Sequence, residues 1–296
     1  MALNLSTLKT RSLTAIFFVV IMLAGLLYNY WSFFFLFSII HFGCWVEYYK
    51  LLGLIDAGSK KVHLLDKIVT LIGGWGFMLM MINQNFEYLN IFTYSIGKWV
   101  MIIAVIEITI SNIFLGGKNK LKNFFFTLLG FVYISLSFGL MISLRNHGMI
   151  FKGQTLFLDF GFALPLLLIV SIWINDTMAY IVGSLIGKNP LSSISPKKTW
   201  EGTIGGAVLC VLIISSLVYF YFDKSLLSLA LIVSSIAAIF GTMGDLLESK
   251  LKRMANVKDS GSFMPGHGGF LDRFDSLLIA TPMVWIALKI FTEFLN

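Results

Sequence analysis

Three stretches of the 296-residue chain hold residues whose types and spacing suit the chemistry of phosphates and cations. The first is Trp173-Ile174-Asn175-Asp176-Thr177-Met178-Ala179-Tyr180, read as the cytoplasmic end of an apolar run. An unpaired carboxylate in such a run costs at least a few kcal/mol. Asp176 is therefore expected to face a polar cavity, a metal or a basic partner. Glu47 and Glu107 meet the same test less clearly. Glu47 sits at the end of an apolar run, and Glu107 reads equally as a buried structural group or a functional one.

The second stretch is Ser195-Pro196-Lys197-Lys198-Thr199-Trp200-Glu201-Gly202. Pro196 and Thr199 mark a helix start, where free N–H groups and the helix dipole favour an anion. Lys197 and Lys198 add positive charge there. They read equally as phosphate ligands and as cytoplasmic anchors of the chain. Gly183, Gly187, Gly202, Gly205 and Gly206 recur at helical spacing, which suits close helix packing or backbone approach to a ligand.

The third stretch runs from Gly244-Asp245 to Phe274-Asp275 and is read as a loop between two apolar runs. On a helix, Asp245, Glu248 or Ser249, and Lys252 share one face, and Asp272 and Asp275 share another. Carboxylates from separate helix ends are able to converge on a hard cation such as Mg²⁺, which prefers oxygen ligands and usually keeps water and substrate phosphates. The glycine-rich turn 265–269 lets backbone N–H groups approach an anion.

The elements that position these residues must be membrane helices. Of the 296 residues 57% are hydrophobic and only 12% charged, about half the charge of an ordinary soluble domain. That composition excludes a soluble globular protein and a disordered chain. Cys44 and Cys210 lie singly in apolar runs and form no metal or redox motif. A helical span needs about 20 apolar residues, and nine candidate runs are present: 13–27, 31–46, 64–82, 99–115, 124–144, 160–174, 204–222, 226–247 and 277–295. The runs are too long and continuous for barrel strands. The expected fold class is all-α, a polytopic integral membrane protein of about nine transmembrane helices. Two parts are expected: residues 1–155 with about five helices, and 156–296 with about four helices and the catalytic cytoplasmic loops.

Cytoplasmic loops carry the excess of Lys and Arg. Alternating the loops places 17 of the 22 on the side of the N-terminus, including Lys9, Arg11, Lys60, Lys118, Lys120, Lys197, Lys198, Lys252 and Arg273. The other side receives Lys98, Arg145, Lys152, Lys224 and Lys289. The N-terminus is thus expected in the cytoplasm and the C-terminus outside. The stretch 83–98 either lies at the interface or extends the fourth span.

Residues Ser249 to Asp275 resemble the signature of the CDP-diacylglycerol synthases, or phosphatidate cytidylyltransferases: S-x-[apolar]-K-R, then K-D, then [PG]-x-H-G-G-[apolar]-x-D-R-[apolar]-D. Met264 stands where Leu, Ile or Phe is usual, a small departure. Ser195–Gly202 and Asn175-Asp176 look like further family elements, so the resemblance covers essentially the whole chain. It implies the reaction CTP + phosphatidic acid → CDP-diacylglycerol + pyrophosphate, in phospholipid biosynthesis. The expected cation ligands are Asp245 and Asp272, with Asp275 and Asp176 in support. Lys197, Lys198, Lys252, Arg253, Arg273 and Lys258 are expected on phosphates, Ser195, Gly268 and Gly269 as hydrogen-bond donors, and His267 on a phosphate or the glycine turn. Mg²⁺ is the expected cofactor, with a second, monovalent cation as a further expectation. CTP, phosphatidic acid and the bilayer are the expected partners, with no nucleic acid, and the resemblance suggests a homodimer. The site is expected to face the cytoplasm from the cell's inner (plasma) membrane. Rival readings are another CTP-dependent lipid cytidylyltransferase, a polyprenol kinase or, more distantly, a transporter.

Overall fold

A computed structural model describes residues 5–56, 62, 64–82, 87–111, 120–146, 149–152, 156–159, 161–263 and 268–295. The helices are α1 (Leu5–Leu27), α2 (Tyr30–Ile55), α3 (Leu64–Met80), α4 (Glu87–Thr109), α5 (Lys120–Gly130), α6 (Leu136–Asn146), α7 (Ala163–Ile186), α8 (Trp200–Tyr221), α9 (Leu227–Met254) and α10 (Leu271–Leu295). A π-helical turn, Phe131–Ser135, joins α5 to α6 in one rod. Among the described residues seven helices are long and apolar enough to cross a membrane, and Thr14–Leu27 adds a shorter apolar segment. The protein is thus a polytopic helical membrane protein. One feature lies outside the all-helical expectation: an antiparallel hairpin of β1 (Met149–Lys152) and β2 (Leu156–Asp159), in register Met149 to Asp159. Strands of four residues leave too short a pattern to stand out from a loop.

Several helices outrun their apolar runs. α7 continues twelve residues past Ile174, so Asn175 and Asp176 lie in mid-helix rather than at its end. α9 continues to Met254, which makes Asp245, Glu248, Ser249, Lys252 and Arg253 helical residues rather than loop residues. The physical reason is the same in both. A helix satisfies its own backbone wherever the polar side chains face a cleft, so polar residues interrupt the apolar run without ending the helix. α4 begins at Glu87, which assigns most of 83–98 to an extension of the fourth span.

The contacts divide the chain into two compact units. The first comprises residues 1–146 and 254–273, the second 147–253 and 274–296. Phe33, Phe34, Phe37, Trp45 and Phe138 fill the core of the first unit. A buried polar node lies within it: Trp45 Nε1 donates to Ser135 Oγ at 2.9 Å, and His41 Nε2 lies 2.9 Å from the same hydroxyl. In the second unit α7 and α8 run in close contact at their glycines. A Cβ added at Gly206 would lie 2.7 Å from the Ala179 backbone, and one at Gly202 2.7 Å from its carbonyl oxygen. Of the two readings of these glycines, close packing is therefore realised.

Candidate active site

Within the second unit, the loop before α8 is built to hold its lysines in place. Thr199 caps the helix as its spacing predicts, its hydroxyl accepting from Gly202 N at 3.1 Å. Leu191 N donates to Lys198 O at 2.7 Å and Trp200 N to Asn189 O at 2.9 Å, closing residues 189–200 into a narrow loop. Glu201 secures the base of the loop by accepting from Lys188 N at 3.1 Å and Asn189 Nδ2 at 2.6 Å.

This loop forms one wall of a cleft of about 490 Å³ lined by Asn175, Asp176, Tyr180, Ser195, Lys197, Lys198, Thr199, Thr242 and Asp245. Five residues expected from the sequence, Asp176, Ser195, Lys197, Lys198 and Asp245, thus meet around one space. The Lys198 ammonium pairs with Asp245 Oδ2, and Ser249 donates to Asp245 Oδ1 at 3.3 Å. One turn along α9, Lys252 pairs with the fully buried Glu248. Asp275 is buried and feels the charges of Asp245, Glu248 and Asp176. The backbone of α9 is close to it, since a Cβ on Gly244 would lie 2.3 Å from the Asp275 carbonyl oxygen.

The first unit holds the other part of the signature. Asp272 Oδ2 accepts from Ser260 N and Ser260 Oγ, each at 2.8 Å, and from Gly269 N at 2.7 Å. Gly268 has φ +84°, a conformation that L side chains rarely adopt, and a Cβ there would meet Asp272 Oδ2 at 2.5 Å. Glu47 accepts from Phe270 N and Leu271 N, each at 2.9 Å, and shares the single Ser260 hydroxyl proton with Asp272, its Oε2 lying 2.7 Å from Ser260 Oγ. Lys258 and Arg273 are exposed, as is Arg253 in the second unit. His267, like Lys60 and Lys118 of the charge count, lies outside the described residues. The two expected cation ligands belong to different units, Asp245 to the second and Asp272 to the first.

Sequence reasoning undervalued Glu47 and did not single out Ser260, Thr242 or Asn175 for a role of its own. Asn175 is 2% exposed, lines the cleft, and its Oδ1 has no hydrogen-bond donor among the described residues. The one available signal was a charged or amide side chain inside an apolar run.

These groups fit a hard divalent cation. Four carboxylates, Asp176, Asp245, Glu248 and Asp275, lie within electrostatic range of one another through Asp275, and lysines pair with two of them. The carboxylates and the open Asn175 Oδ1 supply oxygen donors of the type Mg²⁺ takes. Among the described residues no group of three or more His, Cys, Asp or Glu is arranged to hold a metal ion unaided.

A helical membrane protein with carboxylates and lysines around one cleft defines the class: a membrane enzyme of phosphate chemistry. More particularly, the chain belongs to the cytidylyltransferase family, whose model matches residues 9–291. Similar proteins include the phosphatidate cytidylyltransferase of Staphylococcus saprophyticus subsp. saprophyticus, 32% identical over 95% of this chain and 99% of that protein. The phosphatidate cytidylyltransferase of Staphylococcus haemolyticus is 40% identical over 66% of this chain and 73% of its own length. That of Staphylococcus aureus (strain COL) is 34% identical over 74% of this chain and 78% of its own.

Proposed function

We propose that the chain transfers the cytidylyl group of CTP to phosphatidic acid, releasing pyrophosphate and forming CDP-diacylglycerol. The observation that carries this reading is the cleft in which Lys197, Lys198, Asp176 and Asp245 meet, in a chain whose relatives bear that activity. A phosphate oxygen of the lipid forms a bond to the α-phosphorus of CTP, and the bond from that phosphorus to the bridging oxygen of the β-phosphate breaks. The attacking oxygen is already ionised near neutral pH, so no general base is required.

The difficulty is repulsion between two polyanions, and the residues answer it. Lys197 and Lys198, held by the Thr199 cap and the Glu201 clasp, neutralise phosphate oxygens and orient them, which is how phosphoryl transfer is chiefly accelerated. Arg253, Lys258 and Arg273 are proposed as further phosphate ligands on the signature resemblance. In the cleft Asp245 would hold the Mg²⁺, with Asp176 and Asp275 in support; Asp272 as the other principal ligand rests on the signature resemblance alone. When bound, that ion offsets negative charge on the phosphates and on the departing pyrophosphate. Asn175 Oδ1 is a further acceptor inside the same cleft. A second, monovalent cation and a homodimer rest on the family resemblance alone.

The distribution of Lys and Arg supports a cytoplasmic N-terminus and a site facing the cytoplasm of the plasma membrane, where CTP is available and lipid enters sideways from the inner leaflet. The test is pyrophosphate release by the purified protein from CTP, with and without phosphatidic acid. Release that depends on both substrates is expected. Release with a polyprenyl phosphate but not with phosphatidic acid would overturn the lipid assignment.

A further inference from the structure

We infer that Glu47, more than two hundred residues away in sequence from the signature, is a positioning residue that sets the signature loop and, through Ser260, the orientation of Asp272. The inference rests on the proposed role of Asp272 as a cation ligand. Its structural basis lies wholly within the first unit.

Glu47 is 7% exposed on α2. A carboxylate in that position is costly unless it is well paired, and here its partners all come from residues 260–271. Glu47 Oε1 accepts from Phe270 N, and Oε2 from Leu271 N and Ser260 Oγ. Phe270 and Leu271 open α10, so Glu47 takes two of the N–H groups that a helix start leaves unsatisfied and places negative charge at its positive end. Four residues earlier on α2, Gly43 makes room for the Phe270 ring: a Cβ there would lie 2.3 Å from it. Gly269 leaves room in the same way for the Glu47 carboxylate, which a Cβ would meet at 2.2 Å. Phe263 stacks on Phe270 with ring centroids 4.0 Å apart. α2 thus offers the loop a notch for a ring and an acceptor for its amides on one helical face.

Ser260 carries the effect onward. Its hydroxyl lies 2.7 Å from Glu47 Oε2 and 2.8 Å from Asp272 Oδ2, and its backbone N–H donates to the same Asp272 oxygen. The one Ser260 hydroxyl proton is shared between the two carboxylates while its N–H stays on Asp272, so the serine held at Glu47 fixes where one oxygen of Asp272 is anchored and how the carboxylate presents itself to a cation. Groups that orient metal ligands in this way typically cost roughly 10- to 100-fold in metal affinity or activity when lost.

The test uses the full chain in detergent or nanodiscs, with Glu47→Gln, Glu47→Asp and Ser260→Ala. Gln keeps the size of Glu but turns one acceptor into a donor that faces donors. Two readouts are taken: hydrogen exchange at the amides of Phe270, Leu271 and Gly269 without nucleotide, and the Mg²⁺ concentration for half-maximal pyrophosphate release. For Glu47→Gln the amides should exchange faster, and the Mg²⁺ requirement should rise by about 10- to 100-fold, with a smaller change in KM for CTP. Glu47→Asp should recover part of both effects, and Ser260→Ala should raise the Mg²⁺ requirement with less effect on the Phe270 and Leu271 amides. Unchanged exchange and Mg²⁺ dependence in a correctly inserted Glu47→Gln protein would overturn the inference. Should Glu47→Gln fail to insert, unchanged Mg²⁺ dependence in Ser260→Ala would overturn it instead. If wild type releases no pyrophosphate at all, the proposed function fails, and the exchange arm alone then decides whether Glu47 holds the loop.

Discussion

Lys198 and Asp245 form an ion pair within one cleft, the ammonium coming from the loop before α8 and the carboxylate from the interior of α9. Each has a side chain somewhat under one-third exposed. The pair joins a group expected on phosphate to a group expected on a cation, so a nucleotide carrying its metal would compete with each for the other. Lys198→Gln should raise KM for CTP by at least about tenfold, since a charge-assisted bond to phosphate is worth more than about 1.4 kcal/mol. Because the two residues touch, the combined Lys198→Gln, Asp245→Asn variant should lose less than the sum of the single losses. Steady-state kinetics of the four proteins measures this, and strict additivity would show that the pair is not coupled in the reaction.

The loop that carries Lys198 should depend on Glu201. This carboxylate is exposed, yet it accepts from Lys188 N and Asn189 Nδ2 and so closes the base of the loop. Glu201→Gln replaces one acceptor with a donor and should loosen the loop without emptying the cleft of charge. The expected outcome is a several-fold increase in KM for CTP with kcat within about twofold of wild type. Thr199→Ala, which removes the α8 cap, should lower stability by about 1 kcal/mol and shift KM in the same direction. Thermal melting alongside kinetics separates the two effects.

The spans and the cleft were legible in the sequence for one reason: charged residues in apolar surroundings are costly and so stand out. Asp176 could be chosen on that ground, Lys198 by its place at a helix start and Asp245 by helical spacing, and the three do meet. The helix ends were not legible, because the apolar run stops at Ile174 while α7 continues to Ile186 with its polar residues turned to the cleft. Glu47 shows the second limit. Its partners lie beyond residue 259, and no local periodicity reports a contact at that range. Ser260 gave still less signal, since a serine in a polar loop is ordinary until its hydroxyl is seen between two carboxylates.

The charge distribution yields a topological prediction. Alternating nine expected spans assigns 17 of the 22 basic residues to the side of the N-terminus, so a reporter at Lys120 should be cytoplasmic and one at the C-terminus external. Cysteine labelling with an impermeant reagent in intact cells distinguishes the sides. Labelling at position 120 from outside would reverse the assignment.

The cation assignment is tested most directly at Asp245, Asp272 and Asp275, whose surroundings differ enough to give three different outcomes. Asp245 lines the cleft and is paired with Lys198, so Asp245→Asn should insert and melt like wild type while losing at least about 10²- to 10³-fold in turnover, the scale of losing one group that stabilises transition-state charge. Asp272 also organises its own loop, with three donors on Oδ2. Asn there sets an amide against those donors or gives up a stronger charged acceptor, so Asp272→Asn should lose turnover to a similar extent and lower the melting temperature as well. Asp275 is 9% exposed, and its neighbours include Asp245, Glu248 and Asp176. Asn keeps the size and polarity of that buried side chain and adds no charge to the group, so Asp275→Asn should leave stability unchanged or raised, and should reduce turnover only so far as the carboxylate supports the ion. EDTA should abolish wild-type turnover and Mg²⁺ restore it, with excess Mg²⁺ recovering part of the activity of a variant whose ligand is weakened. Near-wild-type turnover of inserted Asp245→Asn or Asp272→Asn at limiting Mg²⁺ would remove that residue from the ligand set and transfer the role to Asp176, which shares the cleft with the unpartnered Asn175 Oδ1.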